Sequence, residues 1–256
     1  QYSRTSFSQG RSAKYSFKNC FTTPPYDLTQ QHLLQTPIIA IGLSMGAIIL
    51  TKYLVEYARY CGISSAVAFG SFGDTILTEK DVLQRKNWQT FLTSRLKFEL
   101  FPAMEYILPS NNIDIHEVES AIILNQFDEI ATAKVAGHSG RLEYYSHLSF
   151  ARWDRLDKLW TKLLVINSAD DPIIHIDGLE PCVAALSVER TKIKQQKNLA
   201  LLVVPFGGHI ATFTDWKHDW SWLAHASLEW NTLSIQHLQT QIQHNSLHES
   251  FPLLGV

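Results

Sequence analysis

Four short apolar runs mark the chain: residues 37–42 (Pro-Ile-Ile-Ala-Ile-Gly), 65–70 (Ser-Ala-Val-Ala-Phe-Gly), 163–167 (Leu-Leu-Val-Ile-Asn) and 199–204 (Leu-Ala-Leu-Leu-Val-Val). They are nearly continuous in apolar side chains rather than alternating, the pattern of strands covered on both faces of a parallel sheet. Between and after them the period changes. Residues 47–54 read as a helix, and from Glu79 to about Ala136 the residues Trp88, Phe91, Leu92, Leu96, Phe98, Leu100 and Phe101 recur at spacings near three and four. A final helix carries Trp220, Trp222, Leu223 and Trp230, after Trp216. The Gln- and His-rich stretch 236–256 is expected to be loosely ordered. Strands alternating with helices predict an α/β fold.

The first junction carries candidate chemistry. Gly42-Leu43-Ser44-Met45-Gly46 stands where the first apolar run gives way to helical periodicity, the sequence form of a sharp strand-to-helix turn that lifts a serine hydroxyl above a sheet. The pentapeptide alone is weak, since this composition supplies one by chance in about one chain of twenty. Serine is also a preferred helix N-cap, which is the plain alternative for Ser44.

A serine hydroxyl needs a base and a group to orient that base. Both residue types follow the later apolar runs, at the strand ends where α/β sheets place functional groups. The run 163–167 ends in Ser168-Ala169-Asp170-Asp171-Pro172, and the run 199–204 ends in Pro205-Phe206-Gly207-Gly208-His209. Ser44, an aspartate and His209 therefore occur in the chain order used by α/β-hydrolases. Asp170 and Asp171 are adjacent, and only one can face the imidazole; an aspartate before a proline can also simply start a turn.

Composition narrows the picture. With 256 residues, 45% hydrophobic and 18% charged, the chain can bury one sizeable core. A net charge of −2, without a dense Lys/Arg stripe, argues against a nucleic-acid partner. Cys20, Cys61 and Cys182 are odd in number and widely spaced, so no disulfide framework follows and a reducing, intracellular setting is expected. The histidines other than His209 show no paired ligand spacing with cysteine or carboxylate, so no metal or other cofactor is expected. No stretch reaches the roughly 18 apolar residues of a membrane span, and no signal peptide opens the chain. The tryptophans from 216 to 230 leave two readings open, contact with a membrane surface at headgroup level or packing of the last helix on the sheet.

The chain resembles the ABHD-type branch of the α/β-hydrolases. The resemblance rests on Gly-Leu-Ser-Met-Gly-Ala with Lys52-Tyr53-Leu54, on Phe127-Asp128, on Tyr144-Tyr145-Ser146, on Asn167-Ser168-Ala169-Asp170-Asp171-Pro172 and on Gly207-Gly208-His209-Ile210, in family order. It implies an α/β-hydrolase domain over 1–256, with a mostly parallel sheet and a helical cap insertion at about 79–150. It also implies cleavage of carboxylic esters, lipid-like or medium-chain, through Ser44, His209 and an acid, with membrane association common among relatives. The resemblance favours Asp171 as that acid and keeps Asp170 as the alternative.

One oxyanion donor would be the N–H of Met45, and a second would come from a His-Gly-type loop earlier in the chain. The 43 residues before Ser44 contain no such loop, and ahead of the run 37–42 they read poorly as strands, so the N-terminal strands are expected to be missing. Losing one oxyanion donor costs about 10²- to 10³-fold in turnover. Two alternatives to an ester hydrolase stay open: an impaired chain acting as an interaction protein, and an acyltransferase on the same scaffold.

Overall fold

The computed structural model describes residues 37–77, 86–151, 153–186, 197–210 and 221–250. Its described elements form an α/β fold around one parallel sheet of four strands, β1 (Ile39–Leu43), β2 (Ser65–Phe69), β3 (Lys162–Ser168) and β4 (Leu199–Val204), in spatial order β1-β2-β3-β4. The ladders align Leu43 with Phe69, Phe69 with Ile166, and Ser168 with Val204. All four strands thus end on one rim.

The apolar runs become strands because both faces of β2 and β3 are covered. On one face α1 (Met45–Tyr57) packs Ala47, Leu54 and Val55 against Ala66, Ala68, Leu163 and Val165, joined by Cys182 and Ala185 of α8 (Glu180–Leu186). The buried positions of α1 recur at three and four residues, one helical face. On the opposite face α9 (Ser221–Ser250) lays Leu223 on Val67, Phe69, Leu164 and Ile166, with Trp222, Ala226 and Trp230 beside it. Fully burying one such Leu, Ile or Val contributes about 1.5–3 kcal/mol, so these two layers hold the sheet.

Trp222 and Trp230 therefore pack the last helix onto the sheet, while Trp216 and Trp220 lie outside the residues whose contacts are described. The helix also runs on through Gln236 to Ser250, where loose order was expected. Glutamine is a good helix former, and the helix propagates from its packed first turns. Residues 1–36, and with them the expected absence of N-terminal strands, lie outside the described residues.

Between β2 and β3 the chain is helical: α2 (Lys86–Ser110), α3 (Ile115–Ser120), α4 (Leu124–Phe127) continuing through a π-helical turn (Asp128–Thr132) into α5 (Ala133–Val135), then α6 (Arg141–Leu148) and α7 (Trp153–Leu156). This segment has its own apolar cluster of Leu108, Ile113, Val118, Ala121, Phe127 and Ala131. The stripe read from the sequence sits differently from the buried face. Trp88, Phe91 and Phe98 of α2 are exposed, whereas Gln89 and Thr93 are buried. Gln89 Oε1 accepts from the Leu124 N–H at 3.1 Å, which ties α2 to the start of α4. Two of the quoted motifs meet here, as the buried Tyr145 hydroxyl donates to Asp128 Oδ2 at 2.6 Å. Burial pushes the Asp128 carboxyl above its ordinary range.

Candidate active site

The turn after β1 is built around a strained serine. Ser44 has φ 50° and ψ −120°, a conformation that costs about 1–3 kcal/mol in a residue with a side chain. Its neighbours hold it there. The Ser44 N–H donates to Phe69 O at 2.9 Å, extending the β1–β2 ladder, while Ser44 O accepts from Ala47 N at 2.9 Å and Ile48 N at 3.1 Å, opening α1. Gly42 permits the turn, since a Cβ there would stand 2.6 Å from Gly46 O and 2.7 Å from Ala47 Cα. Gly46 is under no such constraint among the described residues, because a Cβ there meets nothing within 4 Å.

The Ser44 side chain does not cap α1. Its Oγ lies 2.7 Å from His209 Nε2, and His209 Nδ1 lies 2.8 Å from Asp171 Oδ2. The Asp171 side chain is fully buried and that of His209 nearly so, 0% and 15% exposed. Asp171 Oδ1 accepts from the N–H groups of Ile173 at 2.7 Å and Ile174 at 2.9 Å, so the aspartate starts a turn and also faces the imidazole. The carboxylate on Nδ1 and the hydroxyl on Nε2 engage both ring nitrogens, an arrangement able to hold the imidazole in one orientation.

Asp170, one residue earlier, points elsewhere. Its carboxylate is exposed and accepts from the N–H of Gly208 at 2.9 Å (Oδ1) and of Gly207 at 3.3 Å (Oδ2). The two adjacent aspartates thus divide between the imidazole and the loop that carries it. The Met45 N–H, first in α1, has no hydrogen-bond acceptor among the described residues.

Two contributions escape sequence reasoning. Gly70, at the end of β2 with φ +58°, lies against His209: a Cβ there would stand 2.9 Å from His209 O and 3.3 Å from its Cε1. The sequence signal was only a glycine closing an apolar run. Asn167, buried at the end of β3, donates from Nδ2 to Ser71 O at 3.2 Å, pinning the turn after β2 to the strand that leads to Asp171. Among the described residues no cluster of three or more His, Cys, Asp or Glu could hold a metal, and no helix is long and apolar enough to cross a membrane. Cys61 and Cys182 are free and buried. Below the turn, Lys52 faces the protein interior on α1, where burial pulls its ammonium down to about 8 despite Glu56 at 3.8 Å.

A serine at a strand-to-helix turn, met by an imidazole and a carboxylate from later strands of one parallel sheet, is how α/β-hydrolases are put together. In sequence the chain is similar to α/β-hydrolases of the ABHD type. It is 27% identical over 177 residues to phospholipase ABHD3 of Mus musculus, covering 68% of this chain and 40% of that protein. It is 24% identical over 189 residues to monoacylglycerol lipase ABHD2 of Danio rerio, covering 70% and 43% respectively. The chain therefore matches only about two fifths of the length of these curated relatives. Among solved structures, the monoacylglycerol lipase of Paleococcus ferrophilus aligns at a TM-score of 0.40 with 14% identity, over 80% of this chain and 70% of that one. No family model matches.

Proposed function

We propose that the protein is a serine hydrolase that cleaves carboxylic esters, with Ser44 as nucleophile, His209 as general base and then acid, Asp171 as the group that orients the imidazole, and the Met45 N–H as one oxyanion donor. The observation that carries this reading is the pair of contacts on one imidazole, 2.7 Å to Ser44 Oγ and 2.8 Å to Asp171 Oδ2.

The chemistry follows from those contacts. As Ser44 Oγ bonds to the ester carbonyl carbon, its proton passes to His209 Nε2, and the buried Asp171 carboxylate stabilises the imidazolium. The carbonyl oxygen becomes an oxyanion beside the first amide of α1, where the helix dipole adds partial positive charge. Collapse expels the alcohol, protonated by Nε2, and leaves Ser44 acylated. Water, deprotonated by the same nitrogen, then bonds to the acyl carbon; the bond from that carbon to Ser44 Oγ breaks, Nε2 returns the proton to Oγ, and the carboxylic acid leaves.

The names of the relatives, a phospholipase and a monoacylglycerol lipase, support lipid-like acyl esters as the substrate class. The helical segment between β2 and β3, with its own apolar cluster, is in this reading the cap over the acyl chain. The test is covalent labelling by a fluorophosphonate together with hydrolysis of short and medium-chain nitrophenyl esters. The parent should be labelled and active, and Ser44→Ala neither. Equal labelling or equal turnover in the two proteins removes the assignment.

A further inference from the structure

The loop that presents His209 has little of its own to fix it. Phe206 is 81% exposed, and Gly207 and Gly208 bring no side chains and adopt positive φ, 151° and 61°. Yet Nε2 must face Ser44 Oγ to within a few tenths of an ångström for proton transfer. Among the described residues, Gly70 and Asp171 meet His209 itself, while the two glycine amides ahead of it are held from the turn after β3 through one carboxylate. Asp170 Oδ1 and Oδ2 accept from the successive amides of Gly208 and Gly207, at 2.9 and 3.3 Å. Successive backbone amides of this kind form a concavity that holds an anion. The turn that bears Asp170 is itself anchored to β4, because the Ala169 N–H donates to Val204 O at 2.8 Å. The carboxylate therefore spans two loops whose strands are already in register.

We propose that Asp170 is a positioning residue: by clamping the Gly207 and Gly208 amides it fixes the loop so that the His209 imidazole stands between Asp171 and Ser44. The inference deepens the hydrolase reading and rests on it. It separates the two aspartates by role, Asp171 acting on the imidazole and Asp170 on the backbone beneath it.

The experiment compares the parent with Asp170→Ala and Asp170→Asn in three measurements: amide hydrogen exchange at Gly207 and Gly208, the rate of fluorophosphonate labelling, and kcat and KM on a nitrophenyl ester. Asp170→Ala should raise exchange at both glycines and lower kcat and labelling about 10- to 100-fold, the effect of a misplacement near 1 Å, with KM changed less than about twofold. Asp170→Asn, which keeps one acceptor oxygen, should recover most of the loss and control for folding. The midpoint of the pH–rate profile should stay in place, because Asp171 remains on Nδ1. A labelled, active parent whose Asp170→Ala variant matches it in exchange and kcat overturns the clamp alone. A shifted pH–rate midpoint also overturns it, by making Asp170 the acid. A parent that takes no fluorophosphonate overturns the hydrolase reading and, with it, the part assigned to Asp170.

Discussion

Gly70 and His209 approach so closely that a methyl group on the glycine would stand 2.9 Å from the histidine carbonyl oxygen and 3.3 Å from Cε1 of its ring. The imidazole is thus seated on backbone as well as held by hydrogen bonds. Gly70→Ala must move the ring or its loop and must also hold an alanine at φ +58°, a cost of about 1–2 kcal/mol. The expected result is a loss of stability of that order in thermal unfolding, with ester turnover down at least about tenfold.

The two glycines that flank the serine turn should respond in opposite ways. Gly42→Ala drives a Cβ to within 2.6–2.8 Å of backbone atoms of Gly46 and Ala47, and overpacking of that kind costs about 1–3 kcal/mol. Gly46→Ala meets nothing within 4 Å and sits in the first turn of α1, where alanine is favoured over glycine by up to ~1 kcal/mol. Urea midpoints should fall for the first variant and hold or rise for the second. Equal losses in both would contradict the turn geometry.

Lys52 predicts a pH-dependent difference. Its side chain is 8% exposed, and burial lowers its pKa from 10.5 to about 8, offset in part by Glu56. The unfolded chain binds this proton more tightly than the folded one, so the penalty is fully present below pH 8 and fades as pH rises from 8 to 10.5. Lys52→Met fills similar volume without the charge. It should therefore be more stable than the parent at pH 7, less what is lost when His147 O gives up the Lys52 Nζ donor at 3.3 Å, with the gain shrinking above pH 10.5. The exposed Glu56 loses a pair of small value. Paired denaturation curves at pH 7 and pH 10 test both the sign and the trend.

Tyr145→Phe removes the hydroxyl that donates to Asp128 Oδ2 at 2.6 Å in the helical segment. The carboxyl is buried, and leaving it without this donor costs about 1–3 kcal/mol. Exchange protection should fall first in α4 and α6, ahead of the sheet; a uniform loss across the chain would show that the segment does not unfold on its own.

The sheet was largely legible because a strand covered on both faces writes its burial directly into composition. Each of the four apolar runs became a strand, and the parallel order follows from the helices between them. Ser44, Asp171 and His209 were legible as residue types at strand ends. From the residues alone, which of Asp170 and Asp171 faces the imidazole was not, because neighbours on one turn differ only in which way the backbone aims them. Gly70 was silent for a similar reason: its partner lies in a loop after β4 and leaves no local trace. In α2, periodicity announced a helix but could not say which face would be covered. Trp88, Phe91 and Phe98 ended outside while Gln89 and Thr93 went in.

Each of the four strands leads to residues on the same rim: Ser44 follows β1, Gly70 follows β2, Asp170 and Asp171 follow β3, and His209 follows β4. A parallel ladder that keeps its faces can slip only in two-residue steps, about 6.6 Å of travel, far beyond the reach of any contact at the site. If Ser44 is the nucleophile proposed above, reaction with a serine-directed probe would count only molecules whose strands have aligned without error, and the hydroxyl at residue 44 would serve as a gauge of correct assembly for the whole sheet.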